Sequence, residues 1–139
     1  MSGFLLDTPV LVDTFKPEPS GIVLDWIGSQ RAGALFLSAM SLGELTRSVR
    51  ARASGAKRAE LERWISQDLA EQFEGRVLPF DAESAALWGA LVAERGAKPR
   101  AAAELQIAAI AIKHSFSLVT TNAKAFRGTG VDLVDLSGE

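Results

Sequence analysis

Short apolar runs alternate along this chain with longer stretches in which apolar positions recur every three or four residues. The first pattern predicts buried strands, the second amphipathic helices. Phe4-Leu5-Leu6 reads as the first strand. A helix follows, with Thr8 as N-cap and Pro9 at the first helical position, where a missing N–H costs nothing. Pro17 and Pro19 end it, and Gly21 to Ser29 forms a second helix carrying Ile22, Val23, Trp26 and Ile27. Leu35-Phe36-Leu37 is the second strand, and a helix from Ser41 to about Arg52 lines up Leu42, Leu45 and Val49. A long helix from about Lys57 to Phe73 carries Leu61, Trp64, Ile65, Leu69 and Phe73 at helical spacing. Val77-Leu78 is a third short strand, and Asp81 caps a helix bearing Leu87, Trp88, Leu91 and Val92. Gly96 to Arg100 reads as a loop, Ala101 to Lys113 as a helix and Leu118-Val119 as the fourth strand, with a candidate fifth over Val131 to Val134.

Strands that alternate with helices, each a continuous apolar run, predict a mostly parallel sheet of four to five strands covered by helices on both faces. Such sheets bind ligands beyond the carboxyl ends of their strands, near the point where strand order reverses. The residues just after each strand are therefore the first candidates for chemistry.

Composition narrows the class. The 139 residues suit a single domain, expected to span 1–139. A chain of this size buries about two thirds of its unfolded surface, so its core needs no covalent staples. With 47% hydrophobic and 23% charged residues it is globular rather than disordered. A net charge of −2 argues against binding nucleic acid by bulk charge, though not against a local basic patch. The absence of cysteine excludes disulfides and thiolate metal sites and fits a reducing cytoplasm. The N-terminus lacks the basic and apolar regions of a signal peptide. No apolar stretch approaches the ~20 residues of a membrane span.

Three acidic residues and an amide fall near one end of the predicted sheet. Asp7 directly follows the first strand, and Glu44 lies one turn into the helix after the second. Glu104 sits near the start of the helix Ala101 to Lys113, and Asn122 directly follows the fourth strand. Ten of the twelve residues from Ala101 to Ile112 are apolar, and Glu104 shares a stripe with Ile107, Ala108 and Ala111. A carboxylate on so apolar a helix must be neutral, paired or bound to a cation, because burying it bare costs several kcal/mol. Alternatively it is a solvated first-turn Glu favoured by the helix dipole. Asp7 has its own alternative, accepting hydrogen bonds from the turn that follows. Glu44 fits a capping box from Ser41, and Asn122 a turn. Metal binding is the chemistry that would unite them. Mg²⁺ takes hard oxygen ligands, keeps several waters and promotes phosphodiester hydrolysis. Zinc is disfavoured by the lack of cysteine and the single histidine, His114, which reads as a helix-end residue.

A basic run follows Glu44: Arg47, Arg50, Arg52, Lys57 and Arg58, with no acidic residue before Glu60. It is either a solvated helix face or a surface that steers phosphates. Trp26, Trp64 and Trp88 fit the apolar stripes of their helices and read as core or interface.

Five segments in order resemble the PIN domain, and specifically the VapC-type toxins of bacterial toxin–antitoxin pairs. Phe4-Leu5-Leu6-Asp7-Thr8-Pro9-Val10-Leu11 is similar to the family's opening "LLDTNVL". Leu37-Ser38-Ala39-Met40-Ser41-Leu42-Gly43-Glu44-Leu45 is similar to "ISAITIAEL", and Gly75-Arg76-Val77-Leu78-Pro79-Phe80-Asp81 to "GRILPFD". Ala103-Glu104-Leu105-Gln106-Ile107-Ala108-Ala109 stands where the family has "ADALIAA". Leu118-Val119-Thr120-Thr121-Asn122-Ala123-Lys124-Ala125-Phe126 stands where it has "LVTRNVKDF".

The resemblance implies a three-layer PIN-like fold and an endoribonuclease dependent on Mg²⁺ or Mn²⁺. It places Asp7, Glu44 and Glu104 at the acidic metal positions and Asn122 at the fourth catalytic position. Thr8, Arg47, Arg50, Arg52 and Thr121 become candidate substrate contacts. It also implies a cognate antitoxin that blocks the site and binds DNA, so that DNA is reached only indirectly, and a homodimer within a larger toxin–antitoxin assembly. Three positions depart from the pattern: Pro9 replaces Asn or Ser, Glu104 replaces Asp, and Ala125 replaces Asp. They motivate an alternative, a weakened PIN-like domain that binds antitoxin or RNA without efficient cleavage. A phosphoacceptor signalling domain fits only loosely, through Asp81 and Lys124, since no acidic pair follows the first strand.

Overall fold

The computed structural model describes residues 3–96 and 98–138, positions 99 and 100 by their backbone. Five strands form one sheet: β1 (Phe4–Leu6), β2 (Leu35–Ser38), β3 (Val77–Leu78), β4 (Ser117–Thr120) and β5 (Leu133–Asp135). Their order is β3-β2-β1-β4-β5 and every pairing is parallel, where the sequence predicted a mostly parallel sheet. The register sets Leu5 beside both Phe36 and Leu118, and Leu6 beside Val119.

Because side chains alternate across a strand, each strand feeds two cores. Leu6, Leu37 and Val119 face one layer, formed by α1 (Thr8–Phe15), α2 (Gly21–Gly28), α3 (Ala39–Arg52) and the helical run α4 (Gly55–Arg63) to α5 (Leu69–Gln72). Leu5 and Leu118 face the other, formed by α6 (Ala82–Arg95) and α7 (Pro99–His114). The chain moves outward from β1 to β3, then returns past β1 to β4. Right-handed crossovers put the helices of these two journeys on opposite faces. The direction reverses between β1 and β4, which is where a ligand crevice is expected.

Three expected boundaries shift. The helix after β2 starts at Ala39, with Ser38 Oγ accepting from the Met40 N–H at 2.9 Å, so Ser41 is inside the helix rather than at its start. The loop expected from Gly96 to Arg100 shortens because α7 opens at Pro99; Ala97 lies outside the described residues. Gly96, at φ 58°, takes the left-handed conformation that closes α6. The long helix expected from Lys57 to Phe73 begins at Gly55 and widens to a π-turn over Trp64–Asp68, where Trp64 stacks on Phe15 at 4.6 Å. Trp88 donates its indole N–H to the Ala102 carbonyl and joins α6 to α7. Among the described residues no helix is long and apolar enough to cross a membrane.

Candidate functional site

Asp7 terminates β1 at the switch point and is 5% exposed. The expected cap at Thr8 is displaced by one residue: Asp7 is the N-cap of α1, and its Oδ1 accepts from the Thr8 N–H at 2.9 Å. Thr8 turns its hydroxyl to Ser41 Oγ at 2.8 Å instead and fastens α1 to α3. The second oxygen, Oδ2, accepts from the Thr120 hydroxyl at 2.8 Å. Thr120 Oγ1 in turn accepts from the Asn122 N–H at 2.9 Å. A single buried hydroxyl therefore sets both Asp7 and the loop that carries Asn122.

Glu44 is the sixth residue of α3, which removes the capping-box reading, since that box needs the third helical position. Among the described residues its buried Oε1 has no hydrogen-bond partner. Glu104 reaches the same place from the opposite layer, half-buried on α7. Asp7, Glu44, Glu104 and Asn122 together line a cavity of about 750 Å³, with Thr8, Pro9, Leu45, Arg47, Ser48, Arg52 and Ala103.

Asp7 and Glu44 feel each other and Glu104 across this space. Burial pushes Asp7 up to about 6, with Glu104 adding repulsion and the bonds from Thr120 and Thr8 pulling the other way. Glu44 is also raised, first by burial and then by Asp7 and Glu104, with Arg47 opposing. Among the described residues none of the three forms a salt bridge. An acidic cavity without a cationic side chain at salt-bridge distance has a deficit of positive charge. It is not a closed cage, because among the described residues no group of three or more His, Cys, Asp or Glu stands ready to hold a metal ion.

The other candidates divide. Arg47 and Arg52 line the cavity, whereas Arg50 does not and pairs with Glu62 at 3.4 Å. Thr121 lines a neighbouring cavity. Pro9 is exposed at the mouth. Ala125 packs against the second core and lines neither cavity. Asp81 caps α6 and pairs with Lys113, which leaves it unsuited to accept a phosphoryl group.

The profile of the PIN domain family matches residues 4–131. The chain belongs to the PIN domain family. This PIN domain is 32% identical over 133 residues to VapC ribonuclease Y4jK of Sinorhizobium fredii, covering 94% of this chain and 95% of that one. It is 34% identical over 124 residues to toxin FitB of Neisseria gonorrhoeae, covering 88% and 89%. Among solved structures, FitAcB from N. gonorrhoeae superposes with a TM-score of 0.86 at 30% identity, covering 98% of this chain and 99% of that one. FitAB bound to an IR36 DNA fragment gives a TM-score of 0.83 at 31% identity, covering 96% and 94%. The family is thus that of the VapC and FitB toxins, and the three-layer PIN fold expected from the sequence is the one observed.

Thr120 is the residue that sequence reasoning passed over in this PIN domain. Its signal was a hydroxyl at the buried end of an otherwise apolar strand, where a polar group needs a partner.

Proposed function

We propose that this PIN domain is a metal-dependent endoribonuclease and the toxin of a toxin–antitoxin pair. The observation that carries the reading is the shared cavity of Asp7, Glu44 and Glu104, with a buried Glu44 oxygen that no group among the described residues satisfies. Mg²⁺ or Mn²⁺ fits that donor set: all ligands are hard oxygens, and a cation of this kind needs only one or two direct carboxylates when waters complete its shell. Asp7, Glu44 and Glu104 are the residues that would hold it. When bound, it supplies charge neutralisation at the phosphate and activation of water.

The rest belongs to the chain's own side chains. Thr120 holds Asp7 in place at the cavity wall, and a carboxylate with two donors retains lone pairs for a further partner. Asn122 offers an amide at the mouth, where it can orient a phosphate oxygen. Arg47 and Arg52 draw the negative backbone toward a site that repels it when empty of cation. Single-stranded loops are the favoured target, because their bases and backbone are accessible.

The relatives FitAB and FitAcB carry names of assemblies, and FitAB is solved on DNA. By that likeness this chain takes a cognate antitoxin, forms a homodimer within a larger complex, reaches DNA through the antitoxin and works in the cytoplasm. The alternative of a domain that binds without cutting draws no support from a cavity that all three carboxylates line.

The test is cleavage of varied structured RNAs by the purified chain. Cutting that requires Mg²⁺ or Mn²⁺, stops with chelator and is lost in Asp7→Asn supports the reading. Equal cleavage by the variant overturns it.

A further inference from the structure

A second cavity, of about 450 Å³, adjoins the first. It is lined by Thr121, Asn122, Lys124, Arg127, Asp135 and Ser137, together with Ala123. Asn122 lines both cavities and is the residue where they meet. The two are held in register by the hydrogen-bond chain from Asp7 through Thr120 to the Asn122 N–H. The loop after β4 thus carries the wall of the second cavity out from the acidic centre.

The charge of the two cavities differs. The first has three carboxylates against Arg47 and Arg52. The second has Lys124 and Arg127 against Asp135 alone. Asp135 is held below the usual carboxylate range chiefly by hydrogen bonds from Ser137, whose N–H lies at 2.9 Å, and only lastly by Arg127. Among the described residues neither Lys124 nor Arg127 is in a salt bridge, and both are exposed. The backbone beneath Arg127 is steadied from α6, since Arg95 donates to the Arg127 carbonyl at 2.8 Å. A cationic pair on a braced turn, next to an acidic centre, matches a polyanion that must be gripped beside the bond that breaks.

We infer that this second cavity is a phosphate subsite for the single-stranded RNA flanking the scissile bond, with Lys124 and Arg127 as its cations and Asn122 as the joint between subsite and centre. The inference rests on the ribonuclease reading and extends it. The strand enters along Arg47 and Arg52, crosses the carboxylates and leaves along Lys124 and Arg127. Thr121 and Ser137 add hydroxyls to the wall. Arg50, tied to Glu62, is not on the path.

The experiment measures binding rather than cleavage, so its result does not depend on catalysis. In an Asp7→Asn background without divalent ion, affinity is measured for a ladder of oligouridylates from the dinucleotide upward, against salt. The same ladder is run with Lys124→Ala/Arg127→Ala added, and with the charge reversal Lys124→Glu/Arg127→Glu. Both side chains are exposed, and thermal unfolding verifies that the variants fold. The expected result is an affinity increment with length that the double variant loses, while the dinucleotide binds as before. The salt slope for long strands should fall by about 1.4, at about 0.7 per single-strand phosphate contact. The charge reversal should deepen the loss. Unchanged affinity and slope would overturn the subsite. Unchanged RNA binding with weakened antitoxin binding would overturn it too and assign the surface to an acidic segment of the partner. No RNA binding by the Asp7→Asn chain or the unsubstituted chain would overturn the ribonuclease reading and the subsite with it.

Discussion

The hydroxyl of Thr120 donates to Asp7 Oδ2 at 2.8 Å, linking two residues 113 positions apart in the chain. It closes the gap between β4 and β1 at the one place where strand order reverses. Without it the most buried carboxylate of the cavity has a single donor, the Thr8 N–H. Thr120→Val should therefore destabilise the fold by about 1–3 kcal/mol, the cost of stranding buried polar groups. It should also raise the Asp7 pKa further, since that bond lowers it. The pH at which cleavage is half-maximal should move upward, and Thr120→Ser should restore it. A midpoint that does not move would mean that Asp7 is not the group being titrated.

The elevated Asp7 carboxyl makes a second prediction, about stability against pH. Its folded value of about 6 exceeds the ordinary 3.8, so between them the folded state binds more protons than the unfolded. Stability from this group is present at acid pH and lost as pH rises through about 6, by on the order of 2–3 kcal/mol in the metal-free protein. Asp81 and Asp135 are shifted downward and act oppositely, so the wild-type curve alone mixes signs. The difference between wild type and Asp7→Asn isolates the part that depends on Asp7, its repulsion of Glu44 included. That difference should fall as pH rises from 4 to 6, values set by the two Asp7 pKa limits, in chemical denaturation with chelator present. A flat difference would refute it.

Glu44→Gln removes a charge whose buried Oε1 has no hydrogen-bond partner among the described residues. The metal-free variant should melt higher than wild type, because desolvation no longer opposes an ionised group. It should also lose the rise in Tm expected for wild type with Mg²⁺, which is about 1.4 kcal/mol of stabilisation when the ion stands at tenfold its Kd. Calorimetry with and without Mg²⁺ reads both effects together. A variant that still gains stability from Mg²⁺ would remove Glu44 from the ligand set.

The basic run separates by position. Arg47 and Arg52 line the acidic cavity, while Arg50 is held by Glu62. Arg47→Ala/Arg52→Ala should weaken RNA binding and flatten its salt dependence by about 1.4, at about 0.7 per single-strand contact. Arg50→Ala should leave both unchanged. Equal effects from the two variants would show that the run acts as a diffuse field rather than through its cavity-facing members.

Much of the fold was legible in the chain itself. The runs at Phe4-Leu5-Leu6, Leu35-Phe36-Leu37, Val77-Leu78 and Leu118-Val119 predicted strands that the structure contains. Their continuous apolar character predicted burial on both faces, and the two cores divide Leu5 from Leu6 and Leu118 from Val119 as strand alternation requires. Proline and glycine punctuation placed the helices to within a few residues. Caps were less legible, because several polar residues stood near each helix start. Asp7, Thr8, Ser38 and Ser41 compete locally, and only the three-dimensional path decided that Asp7 and Ser38 cap while Thr8 and Ser41 bond to each other.

By itself the sequence determined the kind of chemistry available: hard oxygens, no thiolate, one histidine, and acidic residues placed after strands. Those follow from residue type and local period, which need no knowledge of distant neighbours. Tertiary structure alone decided which groups meet. Asp7, Glu44 and Glu104 lie on β1's end, α3 and α7, and share a cavity only because the chain reverses direction across β1 and lays α3 and α7 on opposite faces of the sheet. Tertiary structure alone also drew Arg50 to Glu62, left Arg47 and Arg52 at the cavity, and set Lys124 and Arg127 beside it. Charge and burial at a point depend on everything folded around it, and no local stretch of the chain contains that information.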